Sequence, residues 1–422
     1  DVQYLAQLTD YCRRKSVSKV ISTSTHLLWK LLEPSWPSTL RKRPAISDYA
    51  GSVFDIPGIP GGEIIFINPL KQLVTLPYIK FVTDRFISKT TAPGKWNEPT
   101  AFSFTVCDSV DKLEAAYKDL SNAFAIAVDT ETLRVNASIA CVGYTGGFVT
   151  GSGNIVTRSY VVPFTSTFNL SYVRRINALA APKVLQNGKY DCAYFLRFNA
   201  PLVNYIWDTA HLFHSWYSEL PKDLGFLNAF FLRKVQYWKD LAKIGDKYLY
   251  YKYNALDTWA TFNVWLIQMS QLPAWARKNY TLEFPLVFPC LLSEMTGVRR
   301  DSQALAAALE KETADLNAKQ SSLNRMLGVA YFNTNSSKHM EALFKVLGIE
   351  EIGKKYADGE EKNSFDEIIC KKARLVHPFI GRILDLVLDI RGIRKNISTY
   401  LTTGEDAKEF HGYTDDGMVE KP

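Results

Sequence analysis

The stretch Ala123-Phe124-Ala125-Ile126-Ala127-Val128-Asp129-Thr130-Glu131-Thr132 decides the reading of this chain. An unbroken apolar run marks a buried strand, and it ends at Asp129. Strand residues two apart share a face, so Asp129 and Glu131 point to the same side. Two more acids follow. Asp191 lies in Asn187-Gly188-Lys189-Tyr190-Asp191, near the start of an apolar helix expected over 190–198. Asp257 lies in Tyr253-Asn254-Ala255-Leu256-Asp257, inside a long helix expected over 250–269. The i,i+4 spacing puts Tyr253 and Asp257 on one helix face. Four acids gathered in one pocket repel each other unless cations sit between them, and hard divalent cations prefer such oxygen ligands. A paired-metal site of this kind hydrolyses phosphodiesters by clamping the attacking and leaving oxygens.

Taken singly, each acid has a plainer reading. Asp129 and Glu131 fit a solvated strand end, Asp191 a carboxylate favoured by the helix dipole, and Asp257 with Tyr253 a surface pair. Against the last stand Ala255, Leu256, Trp259, Ala260, Phe262 and Trp265, which make a buried carboxylate costly without a partner. Order, spacing and element type agree only in combination. D-x-E on a strand, N-x-x-x-D at a helix start and Y-x-x-x-D within a helix resemble the DEDDy group of 3′–5′ exonucleases, over roughly residues 100–272. That resemblance implies an RNase H-like α/β domain, a mixed sheet flanked by helices. It also implies roles. Asp129, Glu131 and Asp257 hold one metal ion, Asp129 touches a second, and Asp191 acts largely through that ion's water shell. Tyr253 orients the attacking water, and Thr132, Gln186 and Asn187 contact the terminal nucleotide. Two divalent cations, Mg2+ or Mn2+, suit an all-oxygen site.

The chain has 422 residues, too many for one ordinary core. Three zones are expected: an α/β region over 1–99, the exonuclease-like region over 100–272, and a helical region over 273–422. In the first, helices are expected near 4–14 and 26–32 and strands at 19–23 and 63–68, with a linker over 89–99. In the second, strands are expected at 139–144, 159–164 and 183–186 and a helix at 172–181. In the third, long helices are expected at 302–327 and 377–399, with a charged segment at 354–362 between them. A net charge of +7 and a pI near 8.9 allow a polyanionic partner without demanding one. The six cysteines are far apart and form no C-x-x-C pair, which fits a reducing interior. No apolar run approaches the ~20 residues of a membrane span, and no signal-peptide pattern is present. The chain opens on Asp1 without an initiator Met, as expected of a segment inside a longer frame.

The third zone narrows the resemblance. Residues 283–287 lead into Leu292-Ser293-Glu294-Met295-Thr296-Gly297-Val298-Arg299-Arg300-Asp301, then Phe332-Asn333-Thr334-Asn335-Ser336-Ser337-Lys338, and later Arg391-Gly392-Ile393-Arg394-Lys395. These look like the segments joining exonuclease to thumb in family A, Klenow-type DNA polymerases, with Asp415-Asp416-Gly417 similar to the lead-in to their palm. Arg391, Arg394 and Lys395 give one helix end a basic face suited to phosphates, and Asn333, Ser336 and Lys338 suit backbone contacts. A solvated charged face is the alternative for both patches. No segment matches the remaining palm or the fingers, so nucleotide addition is not expected of these residues alone; a continuing or separate chain would complete the polymerase. The first zone, with Asp48-Tyr49-Ala50-Gly51 before the strand at 63–68, resembles the amino-terminal region of phage-type family A polymerases, related in fold to uracil-DNA glycosylases. No water-activating motif of those enzymes is visible, so a scaffold or partner-binding role is expected.

Three signals are set aside: His211 and His214 as structural, the Gly-rich stretch 145–153 as a flexible β-connection, and the aromatic run 207–238 as helix packing. The resulting expectation is the proofreading exonuclease of a family A polymerase, acting on single-stranded DNA 3′ ends and primer-template duplex. Its rivals are an RNase D-like ribonuclease with the same acids and a non-catalytic DNA-binding or assembly module.

Overall fold

The structure, a computed structural model, describes residues 2–36, 43–70, 72, 77–133, 138–235, 237–299, 301–357, 360–401 and 418–419. Arg300 and the 415–417 stretch lie outside the described residues. The chain divides into two compact units, Asp1–Ser293 and Glu294–Pro422. Among the described residues, no helix is long and apolar enough to cross a membrane.

The first unit is mixed α/β. Helix α1 (Val2–Lys15), β1 (Lys19–Ser22), α2 (Thr25–Leu32), β2 (Val53–Asp55), β3 (Glu63–Phe66) and α3 (Pro77–Thr91) form its amino-terminal part. Here β1 pairs in parallel and β2 antiparallel with the central β3. The segment expected as a linker from residue 89 therefore begins inside α3, which carries its helix on to Thr91.

A six-stranded sheet follows, in the order β4 (Phe104–Val106), β7 (Ile155–Pro163), β6 (Ser138–Val149), β5 (Ala125–Leu133), β8 (Lys183–Leu185) and β9 (Tyr205–Asp208). Strand β6 runs antiparallel to both neighbours, while β5, β8 and β9 are parallel. This is the mixed sheet flanked by helices that was expected. The helices are α4 (Val110–Leu120), α5 (Thr167–Asn177), α6 (Lys189–Arg197), α7 (Thr209–Trp216), α8 (Leu224–Phe231), α9 (Lys247–Gln271) and α10 (Ala274–Glu283).

No gap separates residues 1–99 from the sheet region. One apolar core joins Ala50, Val53, Ile65, Val82 and Phe86 to Phe213, Phe230, Phe231 and Val264. A buried ion pair adds to it: Glu63 receives Arg233 at 2.7 Å through both oxygens and Lys19 at 2.6 Å. The aromatic run 207–238 supplies much of this core, as expected of helix packing.

Strand β6 is longer than expected, because residues 145–149 continue the strand instead of connecting strands. The reason is steric. Residues 143, 145 and 147 share one strand face, and α9 lies on it. A Cβ at Gly147 would stand 2.0 Å from Phe262 Cζ, and one at Gly143 would stand 2.6 Å from Asn254 Oδ1. Between them Thr145 shares a 2.8 Å hydrogen bond with Thr258. Those glycines are a bed for the helix.

The second unit packs α11 (Ser302–Leu327), α12 (Ser337–Val346), α13 (Glu367–Val376) and α14 (Gly381–Asn396) around Leu323, Met340, Phe344, Ile369, Leu384 and Val387. Helix α11 matches its expected span, and α14 starts later than residue 377 because a 3-10 turn occupies Pro378–Ile380. The charged segment forms an antiparallel hairpin of Lys354–Ala357 with Glu360–Asn363.

Gly147→Ala is expected to cost about 1–3 kcal/mol in urea unfolding, because Phe262 must leave its position. Gly151→Ala, with nothing within 4 Å, is expected to stay within about 0.5 kcal/mol.

Candidate active site

Three elements of the first unit converge. Strand β5 is buried over Ala125–Val128 and does not end at Asp129; it continues to Leu133 with an irregularity after Glu131. Asp129 stands opposite Gly143 of β6, and Glu131 opposite Cys141. Both acids therefore face α9. That helix begins at an Asp246 cap, whose side chain accepts from Leu249 N. It presents Asp257 to the same place. Carboxylate oxygens of Asp129, Glu131 and Asp257 all lie within 4.8 Å of one another, and among the described residues this is the one cluster able to hold a metal. Two ligands on opposite sides of a magnesium-sized ion at roughly 2.1 Å are about 4.2 Å apart, a separation of the same order.

Asp191 enters from α6. Its Oδ1 accepts from Thr130 N at 2.8 Å and Thr130 Oγ1 at 2.6 Å, which fixes the carboxylate beside β5. The turn before α6 needs its exact residues. Asn187 has a φ of 57°, a left-handed value that Asn tolerates better than most. A Cβ on Gly188 would meet Leu185 Cβ at 2.5 Å and the Tyr205 hydroxyl at 2.8 Å.

Behind this turn stands Asp208, fully buried. Its Oδ2 accepts from Gly188 N (2.8 Å) and the Tyr205 hydroxyl (2.7 Å), and its Oδ1 from Ala210 N (2.9 Å) and His211 N (3.1 Å). Burial alone would raise its pKa, but these bonds and the neighbouring His211 hold it below the ordinary value. Asp208 thus joins the start of α7 to the start of α6 and positions Asp191 at one remove.

The acids have few partners. Asn254 Nδ2 donates to Asp129 Oδ2 at 2.7 Å, and the Tyr250 hydroxyl reaches Glu131 Oε2 at 3.4 Å. Asp257 accepts from Trp238 Nε1 and Lys239 Nζ, each at 2.6 Å. The Tyr253 hydroxyl is 3.4 Å from the same ammonium. Burial first, then the Glu131, Asp257 and Asp191 charges, raise the Asp129 pKa well above its ordinary value. Glu131 is pushed up to about 8 by burial and by Asp257. Asp191 is raised to about 7, mainly by burial, against the pull of its Thr130 bonds. A group of carboxylates that resists ionisation in this way is one that bound cations would relieve. The donor set fits hard divalent cations.

The acids line a cavity of about 730 Å³ together with Gln186, Asn187, Tyr253 and Lys239. His211, His214 and Lys222 line it too, so the two histidines set aside as structural stand at the site. Gln186 is engaged at both ends of its amide, donating to the Lys222 carbonyl at 2.6 Å and accepting from the Thr209 hydroxyl. Thr132 is held by the Tyr190 hydroxyl at 2.8 Å. Thr130, Asp208, Trp238, Lys239 and Asn254 were not singled out in the sequence. Asp208 had a detectable signal, an acid at a strand end just before a helix. Lys239 had none, being in no motif with Asp257.

In the second unit, the expected basic face is partly turned inward. Arg391 donates to the Thr334 carbonyl at 2.8 Å through Nε and to the Phe365 carbonyl at 2.6 Å through Nη1. Arg394 donates to Gln320 Oε1 at 3.0 Å and the Tyr331 hydroxyl at 3.2 Å. Asn333 accepts from Asn335 N, and Ser336 caps α12. Lys338 and Lys395 are exposed. Arg391 and Arg394 were read as phosphate ligands on the resemblance of their segment; the groups that engage them here, the Thr334 and Phe365 carbonyls for Arg391 and Gln320 Oε1 and the Tyr331 hydroxyl for Arg394, come from distant segments.

Asp208→Ala removes a helix cap and leaves Gly188 N without its acceptor. It is expected to cost about 2 kcal/mol in chemical unfolding, whereas Asp223→Ala, a cap at the edge of the cavity, is expected to cost about 1 kcal/mol.

Neither a protein-family model nor a curated protein matches the sequence. Among solved structures, the chain is similar to the POL domain of Pol1 from M. smegmatis in complex with DNA primer-template and dNTP. The identity is 15% and the TM-score 0.48, over 70% of this chain and 49% of that one. The chain thus spans about half the length of the structure it matches.

Proposed function

We propose that the chain is a metal-dependent 3′–5′ exonuclease that removes nucleotides from DNA 3′ ends, the proofreading part of a family A DNA polymerase. The observation that carries this reading is the convergence of Asp129, Glu131 and Asp257 within 4.8 Å at a cavity that Asp191 and Tyr253 also line. Asp129, Glu131 and Asp257 would hold one Mg2+ or Mn2+, and Asp129 with Asp191 a second. Such ions supply a water acidic enough to attack at neutral pH and charge to stabilise the leaving oxygen.

The chain's own residues then have definite tasks. The α9 face aligns Tyr253 with Asp257, so its hydroxyl is placed to hold the attacking water. Burial and the surrounding acids raise the pKa of that hydroxyl, which keeps it a neutral hydrogen-bond donor instead of a competing base. Asn254 orients Asp129, and Thr130 orients Asp191. Asn187, exposed at its turn, and Thr132 meet the terminal nucleotide, while Gln186 holds the Lys222 backbone and Thr209 in place. In the second unit, which we assign to the thumb, Lys338 and Lys395 meet duplex phosphates. Arg391 and Arg394 brace the segment that carries Thr334.

Asp129→Ala and Asp257→Ala are each expected to lower release of nucleotides from a labelled single-stranded DNA 3′ end in Mg2+ by about 10³-fold or more. Wild-type rates in either purified variant would defeat the assignment. Matched DNA and RNA 3′ ends are compared in the same assay; faster cleavage of RNA would replace the proofreading reading with that of a ribonuclease.

A further inference from the structure

The Lys239 side chain is not explained by the roles above. It opens the 3-10 turn Lys239–Lys243, directly after Trp238. Trp238 is buried and hydrogen-bonded to Asp257, so the backbone at this point is pinned to the acid site. Among the described residues, Lys239 is the cation in ion-pair contact with the cluster, at 2.6 Å from Asp257 Oδ2. Its ammonium also lies 5.0 Å from the centre of the Tyr253 ring. The pair is lopsided: the Lys239 side chain is 25% exposed and that of Asp257 only 4%. Lys239 borders the acid cavity and also a second cavity of about 500 Å³. Open space therefore lies on two sides of its side chain, whereas Asp257 borders only the acid cavity.

Charge decides what this arrangement can do. Asp129, Glu131, Asp191 and Asp257 carry four negative charges when ionised, and one lysine leaves that cluster strongly negative. Two divalent cations balance the acids and leave the ammonium without an anion. A phosphodiester brings one negative charge.

We propose that Lys239 is an internal cation of the site, neutralising Asp257 before metal binds, yielding Oδ2 to the metal, and then pairing with a phosphate oxygen of the bound 3′ end. This rests on the exonuclease reading and adds to it a substrate-binding residue that also sets the metal requirement. Ammonium and metal compete for one carboxylate, so removing the ammonium strengthens metal binding and weakens binding of nucleic acid. A lysine serving only to pack or to stabilise Asp257 does not produce these opposite changes.

The test uses the full chain and two probes. Mn2+ alone is titrated calorimetrically, and then oligodeoxythymidylate with a 3′-terminal phosphorothioate linkage is titrated into the Mn2+-saturated protein. Lys239→Gln is expected to bind Mn2+ about fivefold more tightly and the oligonucleotide about tenfold more weakly. Lys239→Arg is expected to stay near wild type in both. Lys239→Met, which keeps the buried stem, is measured in parallel so that loss of fold in one variant leaves the other to decide. Unchanged or weaker Mn2+ binding in the neutral variants, or unchanged oligonucleotide binding, overturns the assignment of Lys239 and leaves the exonuclease reading standing. A wild-type protein that binds no Mn2+ removes that reading and this proposal with it.

Discussion

Helix α9 lies on strand β6 at a distance that the absence of side chains at Gly143 and Gly147 permits. Any Cβ there would sit closer to Asn254 or Phe262 than van der Waals contact allows. Because Gly143 is opposite Asp129 on the neighbouring strand, that close approach also sets how near the helix comes to the acids. Asn254 fills the space, 2.7 Å from Asp129. One turn further along, Asp257 comes within reach of both strand carboxylates. A methyl group at Gly143 would wedge the helix away from the sheet and open the cluster.

Bringing the acids so close has an electrostatic cost that the fold meets only in part. Burial pushes Asp129, Glu131 and Asp191 toward the protonated form, and the neighbouring site acids add to it for Asp129 and Glu131. Thr130 and Asn254 supply neutral donors, and Lys239 supplies one charge. What is left is a concentration of anionic oxygen on rigid elements, a strand and two helices, where position is precise. In the proposed exonuclease, the site is organised for cations before any arrive. The same reasoning explains Asp208, which holds the Asn187-Gly188 turn from behind and so fixes where α6 points Asp191.

The acids themselves were legible in the sequence because strand and helix periodicity convert spacing directly into shared faces. Asp129 with Glu131, and Tyr253 with Asp257, needed no tertiary knowledge. The Gly-rich residues 145–149 were misread because glycine disfavours strands locally; here the helix above demands it, and packing overrides propensity. Arg391 and Arg394 looked like a basic face suited to phosphates since their acceptors, the Thr334 and Phe365 carbonyls and Gln320, belong to remote segments. Lys239 was invisible for the same reason. Residues 1–99 were expected as a zone of their own bounded by a linker; Phe86, Phe213 and Phe230 share one core, and a core shared across a boundary leaves no mark in either segment.

Anomalous diffraction from crystals grown with Mn2+ tests directly whether these acids share an ion. A peak is expected roughly 2.1 Å from carboxylate oxygens of Asp129, Glu131 and Asp257, with Asn254 still bonded to Asp129. Manganese elsewhere on the molecule, or these carboxylates apart from one another with no ion between them, would contradict it.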